Sequence, residues 1–74
     1  MITLYADFND HEGPRLRLRC NGTKVDLKRQ AIGLQEGLEM RVSDGELAAQ
    51  GKIHWAAEHQ EWVIDLDPAT YEEL

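Results

Sequence analysis

Apolar and polar residues alternate with a period of two in one stretch after another of this chain, and nothing else in it limits the possible folds so sharply. Ile2, Leu4, Ala6 and Phe8 alternate with Thr3, Tyr5, Asp7 and Asn9, and Leu16, Leu18 and Cys20 with Arg15, Arg17 and Arg19. Leu38, Met40 and Val42 do the same with Glu39, Arg41 and Ser43. Successive side chains of a strand leave opposite faces, so each stretch reads as a strand with one face in a core and the other in water.

Turn residues suggest how these strands pair. Asp44-Gly45 fits the two-residue hairpin turn that matches strand twist, which predicts Val42 opposite Leu47, Met40 opposite Ala49 and Leu38 opposite Gly51. The returning strand then runs on, bent at Gly51, through 52–56. After the loop Ala57, Glu58, His59, Gln60 comes a last strand over 61–66. Pairing Ala56 with Glu61 sets Trp55 opposite Trp62, Ile53 opposite Ile64 and Lys52 opposite Asp65, joining both tryptophans on the inner face and a charge pair on the outer one. Near the N-terminus, Phe8 opposite Leu16 and Ala6 opposite Leu18 would set Asp7 against Arg17 and Tyr5 against Arg19.

One helix interrupts the strands. Asn21-Gly22 reads as a turn, and Thr23 followed three residues later by Asp26 resembles a capping box, which predicts a helix over 24–32. Val25, Leu27, Ala31 and Ile32 would form its buried face, with Gly33 in the left-handed position that ends it. Asp67-Pro68 reads as the start of a short helical turn over 69–74. The expectation is one α+β domain, 1–74, in the order β-β-α-β-β-β. Its five-stranded antiparallel twisted sheet, or SH3-like partial barrel, is closed at one end by the helix. The expected core is Leu4, Ala6, Phe8, Leu16, Leu18, Val25, Ile32, Leu38, Met40, Val42, Leu47, Ile53, Trp55, Trp62, Ile64 and Leu66.

A chain of 74 residues buries only about 60% of the surface that it exposes when unfolded, so its stability is marginal by geometry. Cys20 is the only cysteine and cannot form an internal disulfide. No apolar run approaches the roughly 18 residues of a membrane span, and no secretory signal pattern opens the chain. These features predict a soluble, cytoplasmic protein. The net charge of −6 is unevenly spread: residues 1–37 carry six Lys/Arg against five Asp/Glu, and residues 38–74 two against nine. An acidic total works against phosphate-driven nucleic-acid binding, which needs a basic footprint.

Residues 53–67 hold two histidines, two tryptophans and four carboxylates, the densest group of chemically active side chains in the chain. A zinc-binding helix places histidines at i and i+4, whereas His54 and His59 are five apart, and a metal needs three or four convergent ligands. Neither a metal nor a cofactor is expected. Ser43 is the only serine and has no histidine near it, Cys20 points inward, and the glycines form no phosphate loop. Nothing assembles a catalytic site, and no enzyme is expected.

Two surfaces remain as candidates for contact. Arg15, Arg17 and Arg19 lie along one strand face beside Tyr5 and Asp7, with a spacing of about 6–7 Å that approaches the pitch of nucleic-acid phosphates. His54, Glu58, Glu61 and Asp65 mark the acidic outward side of the last hairpin. Together they point to a non-catalytic protein-interaction module whose partner is another protein or a second copy. The alternative is a nucleic-acid-linked role, with the arginine stripe touching phosphates or the acidic half imitating them.

The pieces Y-A-D-F-N (5–9), R-L-R-L (15–18), C-N-G-T-x-x-D-L-x-R-Q (20–30), L-x-E-G-L (34–38) and E-W-V-I-D-L-D (61–67) resemble a family of short uncharacterised bacterial proteins. The resemblance covers nearly the whole chain and implies a strand-rich layout, with no catalytic residue, cofactor or partner to carry over. The turn after Val42 is shorter than the acidic insertion of some members. L-x-E-G-L-x-M-x-V followed by G-K-I-x-W is also similar to small SH3-like barrels, where a diverging turn precedes a three-stranded meander, a likeness that implies fold and not function.

Overall fold

A computed structural model describes all 74 residues. The elements are β1 (Thr3–Tyr5), β2 (His11–Glu12), β3 (Arg15–Arg17), α1 (Asn21–Arg29), β4 (Glu39–Ser43), β5 (Leu47–Ala56) and β6 (Glu61–Glu73). The strands form one sheet in the order β1-β4-β5-β6-β3-β2. Sheet and single helix make a small α+β domain, but the sheet has six strands rather than five and is mixed, because β1 runs parallel to β4.

β1 and β2 are consecutive in the chain yet lie at opposite edges of the sheet. From Tyr5 to His11 the backbone reaches at most about 21 Å. Six strands laid flat would put those edges about 24 Å apart. The sheet is therefore curled, and the crossing segment drops Ala6 and Phe8 into its concave side, where both are buried. There they join Leu4, Leu16, Leu18, Met40, Val42, Ala49, Ile53, Ile64 and Leu66 in one cluster, with Leu27, Ile32, Leu34, Leu38, Leu47 and Trp62 packed around it.

The expected hairpin between residues 2–9 and 15–20 does not form. The turn at Gly13, whose φ is +59°, instead folds β3 back on His11 and Glu12, while β3 pairs on its other side with β6. Parallel pairing with β4 sets Leu4 beside Val42, which satisfies the same alternation with a different neighbour. The β5–β6 register is the expected one, with Trp55 opposite Trp62, Ile53 opposite Ile64 and Lys52 opposite Asp65. The β4–β5 register is shifted by two residues: Met40 faces Gly51 and Val42 faces Ala49. Asp44 is the cause. Its Oδ1 accepts from the N–H groups of Glu46 and Leu47, both at 2.8 Å, and holds a longer loop than the two-residue turn. A slip of two keeps every side chain on its face, so the core composition survives it.

No helical turn follows Asp67-Pro68; β6 continues to Glu73 instead. The ladder slips between the pairs Gln50/Asp67 and Ala48/Glu72. Pro68, which has no N–H to give, lies in the slipped stretch. The Thr70 hydroxyl fills the gap, accepting from Gln50 N at 2.8 Å and donating to the Asp67 carbonyl at 2.6 Å. Tyr71 then meets the Phe8 ring edge-on at 5.7 Å.

The helix starts at Asn21, not Lys24, with Cys20 as its N-cap. Thr23 and Asp26 form no capping box; they face β1. The Thr23 hydroxyl donates to the Tyr5 carbonyl at 2.7 Å, Asp26 accepts from the Tyr5 N–H at 2.8 Å, and the Gln30 amide donates to the Thr3 carbonyl at 3.1 Å. Those backbone groups point away from β4, so the polar side of α1 takes the place of a neighbouring strand. An exposed edge of unpaired N–H and C=O groups invites aggregation, and this clamp removes it. It also rotates the helix, leaving Val25, expected in the core, 64% exposed. Ala31 at φ +53°, rather than Gly33, ends the helix, with Ile32 N donating to Leu27 O and Ala31 N to Lys28 O.

Trp55 is the second core residue that the structure relocates, at 39% exposure. β4 pairs with β5 only as far as Lys52, so nothing from β4 covers the inner face at Trp55. It packs instead on the half-buried Trp62, ring centroids 5.1 Å apart.

Candidate functional site

The β3–β6 ladder decides what the arginine stripe touches. Arg15 lies directly opposite Asp65, and its Nε and Nη2 donate to the two carboxylate oxygens at 2.6 and 3.2 Å, with Glu58 at 3.9 Å. Arg17 lies opposite Val63, so its guanidinium reaches sideways to Glu12 at 2.8 Å, Asp10 at 3.4 Å and Glu61 at 3.8 Å. Arg19 binds Asp10 through two nitrogens, at 2.8 and 3.1 Å, and reaches Glu61 at 4.0 Å. The two surfaces expected to be separate are thus one network, three guanidiniums among the five carboxylates Asp10, Glu12, Glu58, Glu61 and Asp65. Its local charge is formally −2, not +3.

Arg19, then Arg17, holds the Asp10 carboxyl below its usual range, while Asp65 and Asp10 push the Arg15 and Arg19 guanidiniums up. Glu12, Arg17, Arg19, His59 and Glu61 line a recess of about 440 Å³. A phosphate entering it would have to compete with carboxylates already bound to both arginines. Beneath the network, Val63 and Ala56 are buried although they lie outside the main core cluster.

The remaining sequence candidates are dispersed. Asp7 does not meet Arg17; its Oδ1 accepts from Asn9 N at 2.9 Å and shapes the crossing turn. The His54 Nδ1–H donates to Glu36 Oε2 at 2.9 Å, and the other oxygen of Glu36 accepts from Trp55 N at 3.0 Å. That carboxylate closes the edge of β5 beyond the end of β4, and the Trp55 N–H, then His54, keep its pKa below normal. His11 donates to the Gly13 carbonyl at 3.2 Å, and no three His, Cys, Asp or Glu side chains converge as metal ligands would. Because the single proton of the Thr23 hydroxyl goes to Tyr5, the Cys20 S–H is the donor in its 3.1 Å contact with that oxygen.

Tyr5 is at the far edge of the sheet from the arginines, against α1. Its ring lies over Gly22, where an added Cβ would come within 2.6 Å of Cε1. Only glycine permits that approach. Tyr5, Asn21, Gly22, Val25, Asp26 and Arg29 line a groove of about 410 Å³, in which Tyr5 and Val25 are both exposed. Sequence reasoning missed this groove by taking Asn21-Gly22 as a turn and Val25 as core. The available signal was the glycine itself, two positions after Cys20 in a segment otherwise able to form helix.

No helix is long and apolar enough to cross a membrane. No family model, curated protein or solved structure matches the chain significantly.

Proposed function

We propose that this chain is a non-catalytic protein-interaction module that docks its partner on the groove between β1 and α1. The observation that carries the reading is the exposed pair Tyr5 and Val25, set side by side by Gly22 with no cover from the rest of the fold. A tyrosine beside an aliphatic residue, rimmed by Arg29 and Asn21, has the composition of a small interface centre. The arginine stripe, by contrast, is engaged by the chain's own carboxylates. A photo-crosslinking side chain at position 25, with a control at 58, tests the reading in cells. Capture of one discrete protein at 25 and not at 58 supports it; capture at 58 alone, or at neither, overturns it.

The nucleic-acid alternative keeps its mimicry form, because nine carboxylates against two cations in residues 38–74 are a specific reason for a basic, nucleic-acid-binding partner. Copurification with such an enzyme, lost on neutralising Glu72 and Glu73, would favour it. We further liken the β4–β5–β6 meander to that of SH3-like small barrels, and the chain as a whole to the short bacterial proteins that it resembles. An unpaired Cys20 accords with a reducing, cytoplasmic setting.

A further inference from the structure

We infer, resting on the docking reading above, that the groove takes an acidic segment of a partner protein bearing an apolar anchor. The chain has five arginines and three lysines, and all five arginines have a carboxylate within ion-pair distance. Lys52 stands between Glu39 and Asp65 in the ladders. Lys24 and Lys28 are left with no ion-pair partner and no acidic residue opposite them. Both are on α1, where with Arg29 they set three cations against Asp26, a net +2 on a chain of −6. Lys28 follows Val25 by three residues and so adjoins it on the helix, while Lys24 stands about 100° round from Val25, on the side away from Gly22; neither lysine lines the groove itself. The Arg29 side chain, 75% exposed, reaches Asp26 from the groove.

Helix energetics does not account for this charge pattern. Lys28 and Arg29 suit the negative end of the helix dipole, but Lys24 lies in the first turn, which holds no acidic residue. A cation there opposes the dipole. Solubility does not account for it either, since the rest of the molecule is strongly acidic. The apolar pair Tyr5 and Val25 supplies a seat for one apolar side chain, and Lys28 next to Val25, with Lys24 farther round the helix, supplies unpaired positive charge beside that seat for carboxylates. A nucleic acid would bring denser negative charge toward a net-acidic body and has no aliphatic group for Val25.

The test is an amide-resolved NMR titration of the full chain with a synthetic peptide of Glu-Glu-Leu repeats, its Gln-Gln-Leu counterpart, and an oligouridylate. The expected result is that only the Glu peptide shifts Tyr5, Gly22, Val25 and Arg29, with affinity falling as salt rises. The double variant Lys24→Glu with Lys28→Glu should weaken that binding about tenfold or more. Lys24→Glu puts a carboxylate in the first turn, where it favours the helix, so lost binding would not reflect lost folding. Equal binding of the Gln peptide, tighter binding of the oligouridylate in the same groove, or peptide shifts confined to the Arg15, Arg17 and Arg19 face would each overturn the inference. Crosslinking at position 25 that persists while the Glu peptide fails to bind would leave the docking reading standing and remove only the acidic ligand.

Discussion

Replacing Asp26 by alanine removes the carboxylate that accepts the Tyr5 N–H at 2.8 Å and leaves a backbone donor without a partner at the covered edge of β1. Asp26 is only 7% exposed, so water cannot easily take over. A hydrogen bond to a charged group contributes about 1.5–3 kcal/mol. The Arg29 partner, largely exposed, adds little. The expected loss is therefore about 2–3 kcal/mol, from a total of about 4–11 kcal/mol for a chain of this length. Asp26→Asn keeps an acceptor oxygen but not the charge, and should lose about 1 kcal/mol. Thr23→Val strips the Tyr5 carbonyl of its donor and should cost about 1–2 kcal/mol. Because both side chains hold the backbone of one residue, Tyr5, from its two sides, the double variant should lose less than the sum by about 0.5–1 kcal/mol. Urea titration followed by tryptophan fluorescence measures all four, the midpoint moving at constant slope. If Asp26→Ala costs under about 0.5 kcal/mol, or the two losses simply add, α1 is not serving as a surrogate strand and the account of this edge is wrong.

Gly51→Ala should cost about 3 kcal/mol or prevent folding, because its Cβ would overlap the Asp65 carbonyl oxygen and lie 2.9 Å from Leu66 Cα, both backbone atoms of β6; an unchanged urea midpoint would contradict that packing. Ala31→Gly should stabilise by about 0.5–1 kcal/mol, the left-handed strain of about 1–2 kcal/mol being partly offset by unfolded-state entropy, and should raise Tm by a few degrees. Acid should destabilise the protein below about pH 4: Asp10, Asp26, Glu36 and Asp44 all have carboxyls held below their usual range, so the unfolded chain takes up protons first. Their contribution is present above the unfolded values and lost as pH falls through the folded ones. Asp26→Asn should flatten that acid limb, and an unaltered profile would count against the assignment.

Alternation was legible because it reports which face a residue occupies, and a face survives a change of neighbour. Leu4, Ala6, Phe8, Leu16 and Leu18 are all buried as expected, although the hairpin meant to join them does not exist. Pairing partners are not encoded in that pattern, and nothing in it distinguishes a strand that pairs parallel to β4 from one that pairs with residues 15–20. The β5–β6 register was legible because Trp55/Trp62 and Lys52/Asp65 select the same alignment. The Thr23-x-x-Asp26 spacing misled because the same hydroxyl and carboxylate can serve the helix's own N–H groups or the carbonyl and N–H of Tyr5. Only the position of β1 decides between them. The network at Arg15, Arg17 and Arg19 was half legible: the residues were singled out, but their partners Asp10, Glu61 and Asp65 come together only when β3 adds to β6.

A small sheet with short strands has much edge and few residues to cover it, so polar side chains must complete its ladders. Thr23, Asp26 and Gln30 do this for β1, Glu36 for β5 and Thr70 for the slipped stretch of β6. The arginines are likewise spent on the carboxylates of neighbouring elements. Chemical suggestiveness in the sequence is therefore a poor guide here, because the residues that look most reactive are those the fold has engaged. The more useful quantity is the remainder after structural roles are subtracted. Val25, the outer side of Tyr5, Lys24 and Lys28 have no role in the core, no ladder to complete and no counter-charge, and Lys24 works against its own helix. Two such residues in one groove, with two unpaired lysines on the helix that forms its wall, are a cost that folding alone does not explain, and that is why binding should be sought there before the arginine face.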